Sequence, residues 1–465
     1  MNQPNIILIT TDQQRFDTIQ ALGNREIYTP HLNWLVDEGI SYTRCYADSP
    51  ICMPSRASIM TGTRGYKNGL TGNDTDKIPM QSRPTLPGVL TANGYQTRAQ
   101  GKMHFHPMRA HYGFEYMELP MDYYREMQKN GLVPKGHGVG ENEIEPVIST
   151  VDEVHSATYW TVKRSIDFLE TRDDTRPFFL WTSFAKPHPP LDPPLNYWTL
   201  YQNKKLSPPV SGDWSADISQ MPQGLFSSAY SLNNGYRMSD EQKEDVKRAY
   251  YACITQIDYS LGLLFARLRE MELLENTWII FTSDHGEMLG DHGLFAKSVF
   301  LEGSAHVPMI VRPPMAAFEK GDLQGKKCDS LVTLADVMPS ILAMAGVKEE
   351  QLQMDGRDML ELAQKPSQER IFYGNSSNHH FAIMKDGYKY MWSRQGDEQL
   401  LFNLQEDPQE QVNLADKMPE LAAELKAMMQ EELGVFEPMP AIESPADVPK
   451  WPGFHSTVFP ADVLH

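Results

Sequence analysis

Asn5-Ile6-Ile7-Leu8-Ile9-Thr10-Thr11-Asp12 carries a short apolar run, Ile6 to Thr11, that ends on an acid. Continuous rather than alternating hydrophobicity fits a central strand of a parallel sheet, buried on both faces. Working outward, Phe178-Phe179-Leu180-Trp181 and Thr277 to Thr282 (TWIIFT) read the same way. His306 to Arg312 (HVPMIVR) is a fourth strand, weakened by Pro308, which cannot donate to a ladder. Between the second and third lies the clearest helix. Ser239-Asp240-Glu241-Gln242 has the pattern of a capping box, and Val246, Ala249, Tyr250, Cys253, Ile257, Leu261, Leu264 and Leu268 then recur at helical spacing. Strands alternating with helices predict an α/β domain with helices on both faces of the sheet. Ligands of such sheets bind beyond the carboxyl ends of the strands, where Asp12 and Asp284 both fall.

After about Gly346 the pattern changes. Arg370–Tyr373, Phe381–Met384, Tyr388–Trp392 and Gln399–Phe402 are short strands parted by turn residues such as Asp386-Gly387, and they predict an antiparallel sheet. A helix from about Pro419 to Leu433 follows, then a Pro-rich tail from Gly434 that is expected to wrap the surface. The chain thus divides into a catalytic α/β domain, 1–346, and a C-terminal antiparallel-sheet subdomain with tail, 347–465. Residues 187–235, rich in Pro, Asn, Ser and Gly, form a loop too long for a mere connection and read as a substrate-facing insertion.

A formal net charge of −19 over 465 residues excludes general nucleic-acid binding and docking on anionic lipid. No run of about 18 apolar residues is long enough to span a membrane. The start, Met1-Asn2-Gln3-Pro4, enters a strand at once, without the basic region of a signal peptide. Four cysteines, Cys45, Cys52, Cys253 and Cys328, are too few for a disulfide framework, so a reducing cytoplasm is the expected compartment.

The chemistry-bearing residues cluster around Cys52-Met53-Pro54-Ser55-Arg56, continuing to Thr61-Gly62. Pro54 suits the first turn of a helix and Gly62 suits its stop. Residue 52 then sits just ahead of a helix N-terminus, where free N–H groups and the dipole favour an anion. Asp12-Gln13 and Asp284-His285 close two strands. Oxygen-rich ligands of this kind suit a hard cation such as Ca²⁺ or Mg²⁺, and a His among them also admits Mn²⁺.

The Cys-x-Pro-Ser-Arg run with its downstream Thr-Gly resembles the maturation motif of the type I sulfatases, the formylglycine-dependent branch of the alkaline phosphatase superfamily. Gln13, where that family commonly has a second Asp, resembles the branch of choline sulfatases and phosphonate monoester hydrolases. Gly101-Lys102-Met103-His104, Lys186-Pro187-His188-Pro189, Phe295-Ala296-Lys297 and the Leu401 to Leu414 region are similar to further family segments. The resemblance implies an alkaline phosphatase-like fold and hydrolysis of a small sulfate ester, a sulfated sugar by expectation, with a phosphonate or phosphodiester substrate, or choline sulfate, as the alternatives. It implies that Cys52 is oxidised to formylglycine by a generating enzyme. It implies one divalent metal, Ca²⁺ by expectation, at Asp12, Gln13, Asp284, His285 and residue 52. Arg56, Lys102, His104, His188 and Lys297 are the remaining catalytic candidates, and they supply the local positive charge that an acidic protein needs to hold an anion. Self-association is compatible with all of this. His106, His111, His137, His155 and His292 read as structural or surface residues.

Overall fold

The computed structural model describes residues 3–217, 221, 222, 224, 225, 238–315, 323–348, 351–365 and 370–440. The strands are β1 (Asn5–Asp12), β2 (Ile40–Tyr42), β3 (Cys45–Tyr46), β4 (Gln96–Gly101), β5 (Tyr116–Glu118), β6 (Phe178–Pro187), β7 (Thr277–Ser283), β8 (His306–Val307), β9 (Met309–Arg312), β10 (Lys326–Cys328), β11 (Val332–Thr333), β12 (Phe372–Ser376), β13 (His380–Lys385), β14 (Tyr388–Ser393) and β15 (Glu398–Asn403).

The main sheet has the order β10-β2-β9-β7-β1-β6-β4-β5. β1 lies at its heart, parallel to both β6 and β7, and β9 runs antiparallel between β7 and β2. The apolar run Ile6–Ile9 of β1 is buried on both faces, as its composition requires. Ile6 and Leu8 pack into one core with Phe179, Trp181 and Ile280, and Ile7 and Ile9 into another with Val162, Phe168, Ile257 and Leu261. The second core is closed by the helices Ala157–Thr171 and Asp240–Glu270. The latter opens on the expected box: Gln242 N–H donates to the Ser239 hydroxyl at 3.2 Å, and Ser239 N–H to the Gln242 side chain at 2.8 Å. The run expected as a fourth strand is divided at Pro308. Its first two residues join a small three-stranded sheet with β3 and β11, and its remainder is β9. The missing proline N–H ends one ladder where the other begins.

The C-terminal strands form the antiparallel order β12-β13-β14-β15. Asp386 and Gly387 turn β13 into β14 with φ of 53° and 81°. One face of this sheet carries Phe372, Met384, Met391 and Phe402 onto Phe300, Leu301 and Ala305 of the main domain. The other carries Phe381, Tyr390, Trp392 and Leu401 onto the helix Pro419–Leu433 through Ala422, Leu425 and Met429. Met359 and Ala363 still belong to the main core, ahead of β12. The tail returns toward the body, where Met439 bridges Gln395; its continuation from 441 lies outside the described residues, as do 226–235 of the predicted insertion.

Candidate active site

Register brings the two acids together. Thr11 of β1 pairs with Ser283 of β7, so Asp12 and Asp284 leave the sheet side by side, both fully buried. Between them stands the helix Cys52–Thr61, buried along its whole length and closed by Gly62 in the left-handed conformation at φ 63°. Ile51 is the N-cap, so Cys52 is the first helical residue rather than the one ahead of it. The Met53 N–H, one of the helix's free donors, is taken by the Asn73 side chain at 3.1 Å.

Cys52 Sγ lies 3.2 Å from His285 Nε2 and 3.8 Å from Asp12 Oδ1. Asp12, Cys52, Asp284 and His285 offer ligand atoms all within 4.8 Å of one another. Two buried carboxylates facing one imidazole and one sulfur make a donor set that fits a divalent cation. Arg56 spans the acids: Nε donates to Asp284 Oδ2 at 2.9 Å, Nη2 lies 3.5 Å from Asp12 Oδ2, and Nη1 donates to Ser183 Oγ at 2.9 Å and to the Lys102 carbonyl. Lys102 forms an ion pair with Asp12.

The charges act on one another. Burial opposes ionisation of Asp12, yet Lys102, His285 and Arg56 hold its carboxyl well below the usual range. Burial and the Asp12 charge push the Asp284 carboxyl up. Burial and Asp12 also oppose the Cys52 thiolate, but Lys102, Lys297 and His285 win and keep the thiol well below its ordinary value. Burial, Lys297 and Lys102 depress His188, so its imidazole is neutral. His188 Nδ1 lies 2.9 Å from the Pro189 carbonyl and donates to it, which leaves Nε2 to accept from Lys297 Nζ at 3.1 Å.

Gln13 takes a left-handed backbone at φ 73° and donates its N–H to Asp284 Oδ1 at 3.1 Å. Its side-chain oxygen accepts from Lys297 at 2.6 Å, and its amide nitrogen donates to Glu287. Lys102, His104, His188 and Lys297 line one cavity of about 960 Å³ with Cys52. Lys102 and His104 reach it without strand alternation, because β4 ends at Gly101 and both Gly101 and His104 have positive φ. His104 is exposed on the cavity wall. His292, stacked on Trp214 at 4.6 Å, is structural.

Sequence reasoning passed over three residues. Glu287, almost fully buried, clamps Gln13 and accepts from Leu289 N–H at 3.0 Å. Ser183 ties Arg56 to the Lys102 carbonyl, and Asn73 caps the Cys52 helix. Only Glu287 carried a signal, its place three residues after Asp284.

A buried cysteine opening a helix, beside two strand-end acids and a cluster of cations, makes a basic pocket suited to an anion in a fold of the alkaline phosphatase-like class. The family model described as Sulfatase matches residues 4–347, and that described as N-sulphoglucosamine sulphohydrolase, C-terminal, matches residues 290–436. An arylsulfatase of Clostridium perfringens is 33% identical over 442 residues, covering 89% of this chain and 90% of that one. The phosphonate monoester hydrolase of Agrobacterium radiobacter superposes with a TM-score of 0.76 at 21% identity, over 93% of this chain and 96% of that one. A structure solved with its substrate D-glucosamine-2-N,6-O-disulfate superposes at 0.73 and 22% identity, over 94% and 99%. The chain belongs to the sulfatase family, hydrolases of sulfuric ester bonds.

Proposed function

We propose that this chain is a formylglycine-dependent sulfatase that cleaves a small sulfate ester, with a sulfated sugar as the substrate class. The observation that carries the reading is Cys52 at the first turn of its helix, its sulfur gathered with Asp12, Asp284 and His285 while Arg56 and Lys102 close over the acids. Residue 52, once oxidised by a generating enzyme, supplies a hydrated aldehyde as nucleophile, and a divalent cation, Ca²⁺ in our reading, supplies Lewis acidity. Asp12, Asp284 and His285 would hold that cation. Gln13 would join them by exchanging the hydrogen bond it accepts from Lys297.

The chain's own groups divide the remaining work. Lys102 and Lys297 neutralise charge on the sulfuryl oxygens. Arg56 orients both acids and residue 52. The proton for the departing alcohol comes from the Lys297–His188 pair, and in the resting arrangement it sits on Lys297, because His188 Nε2 is the acceptor. His104, on the cavity wall, takes the proton that releases sulfate. Four unpaired, buried cysteines suit a reducing compartment, and we place the activity in the cytoplasm.

The test is mass and rate together. Coexpression with a formylglycine-generating enzyme should lower the mass of the residue-52 peptide by about 18 Da, and activity should rise with the converted fraction. Full activity on unconverted Cys52 would remove the reading. Side-by-side kcat/KM on sulfate monoesters and phosphate diesters should favour the sulfates; the reverse would make the chain a phosphodiesterase with the same machinery.

A further inference from the structure

Beyond the reacting centre the cavity draws on two parts of the chain. Met103, Phe105, Met108, Met121 and Tyr124 give it an apolar lining, with Met108 and Met121 exposed by 54% and 37%. The C-terminal sheet contributes Ser376, His380 and Ser393. These three form a row across β12, β13 and β14: Ser376 pairs with His380, and His380 with Ser393. Paired positions on neighbouring strands share a face. Ser376 is wholly buried and Ser393 is 7% exposed, yet neither hydroxyl has a hydrogen-bond partner among the described residues. Buried hydroxyls are as a rule satisfied, so two orphans flanking His380 on a cavity wall mark where a ligand's polar groups belong. Between them burial pushes the His380 imidazole down to about 4, so the ring is neutral and can both donate and accept.

The outer lining is also electrically balanced. Lys135 pairs with Glu141 at 2.5 Å, and Lys186 pairs with Asp192. The Lys135 ammonium lies 5.2 Å from the Tyr124 ring centroid and occupies the aromatic face that a quaternary ammonium would need.

Building on the sulfuric-ester reading above, we propose that Ser376, His380 and Ser393 form a hydroxyl-reading subsite for the alcohol half of the ester, and that this alcohol is an uncharged sugar set against the apolar lining. A sugar ring offers C–H faces to Met103, Phe105 and Tyr124, and hydroxyls to the serine–histidine row. A second sulfate or a carboxylate on the far side of the sugar would meet Lys135 and Lys186 already paired with Glu141 and Asp192, and its desolvation would go uncompensated.

The experiment uses converted enzyme with nitrophenyl sulfate, with monosulfates of galactose and N-acetylglucosamine at each ring position, and with their disulfated counterparts. The best monosulfated sugar should exceed its disulfated counterpart by about tenfold or more in kcat/KM. Ser376→Ala and His380→Ala should each lower kcat/KM for that sugar by about tenfold and leave nitrophenyl sulfate within about twofold, because a small phenol needs no hydroxyl reader. Equal losses on sugar and aryl esters, or preference for the disulfated sugar, would overturn the subsite. If the wild type turns over neither ester, the sulfatase reading itself fails. The subsite is then read by saturation-transfer NMR of the monosulfated sugar on Cys52→Ala protein. Binding that disappears with His380→Ala supports it, and binding that persists overturns it.

Discussion

At the scale of the residue, the centre gathers two buried acids, Arg56, Lys102 and His285 around one sulfur. Asp12 and Asp284 are wholly buried at strand ends, and Arg56 contacts both, so either single removal leaves it one acid and should disturb chemistry more than folding. Asp12→Ala or Asp284→Ala should abolish stoichiometric metal, measured by inductively coupled plasma mass spectrometry, and lower kcat by at least about 10³, with the circular dichroism spectrum retained. Metal retained in either variant would refute that ligand. A second contrast separates proton donation from charge stabilisation. His188 accepts a hydrogen bond from Lys297 at 3.1 Å, whereas Lys102 pairs with Asp12, the acid 3.8 Å from Cys52 Sγ. An acidic phenol leaves without help, and a sugar alcohol does not. His188→Ala should therefore hurt a sugar sulfate about tenfold more than nitrophenyl sulfate, while Lys102→Ala should hurt both alike. Matching losses in the His188 variant would reassign it to plain sulfate binding.

At the scale of the element, the strands and helices that place these residues were readable where one physical rule dominated. The unbroken apolar run of β1, the capping box at Ser239, the stop at Gly62 and the Pro419–Leu433 helix all stand where the sequence put them. So do Asp12 and Asp284, because strand ends in an α/β sheet are where ligands bind. What escaped was set by contacts distant in sequence. The Ser183 and Asn73 hydrogen bonds join residues far apart in the chain and leave no local periodicity. The division at Pro308 was visible as a weakness but not as two strands in two sheets. Gly101 is the most instructive case. It sits at φ 92°, and a Cβ there would meet the Ser183 carbonyl oxygen at 2.0 Å. The next residue, Lys102, donates its N–H to that same carbonyl at 2.9 Å and offers its own carbonyl to Arg56. Gly101→Ala should thus cost about 2 kcal/mol or more in urea unfolding, from strain and overpacking together. It should also lower kcat on nitrophenyl sulfate by displacing Lys102 and Arg56. A variant with wild-type stability and rate would show that the strand end can yield.

At the scale of the whole molecule, the C-terminal sheet is held over the cavity by a buried ionic clamp. Lys389 of β14, 1% exposed, reaches Glu302 at 2.5 Å and Glu410 at 2.8 Å and donates to the Phe300 carbonyl at 2.9 Å. Glu410 also accepts from the Glu302 N–H at 2.7 Å, and Glu302 is bound further by His306 at 2.6 Å. One lysine between two carboxylates leaves the second acid short of a partner. Burial therefore pushes the Glu410 carboxyl up to about 7 from the ordinary 4.5, against the pull of Lys389, while Lys389 and His306 carry Glu302 in the opposite direction against its burial. Removing the cation should be severe: Lys389→Met should cost about 3–5 kcal/mol, since it strands buried acids. The proton on Glu410 gives a finer test. The folded chain holds that proton where the unfolded chain has released it, so the stability it contributes is complete below the ordinary carboxyl value and is lost as pH rises toward about 7. Glu410→Gln removes this dependence while keeping an acceptor for Lys389. Urea unfolding of both proteins at pH 5, 6, 7 and 8 should show wild-type stability falling relative to the variant by about 1.4 kcal/mol per unit below pH 7. Above pH 7 the difference should level off. A difference that stays constant across the series would mean that Glu410 is already ionised at pH 5 and that the clamp carries no extra proton. Loss of the clamp should also reach function, because β14 carries Ser393 into the cavity wall and β12 and β13 carry Ser376 and His380 beside it.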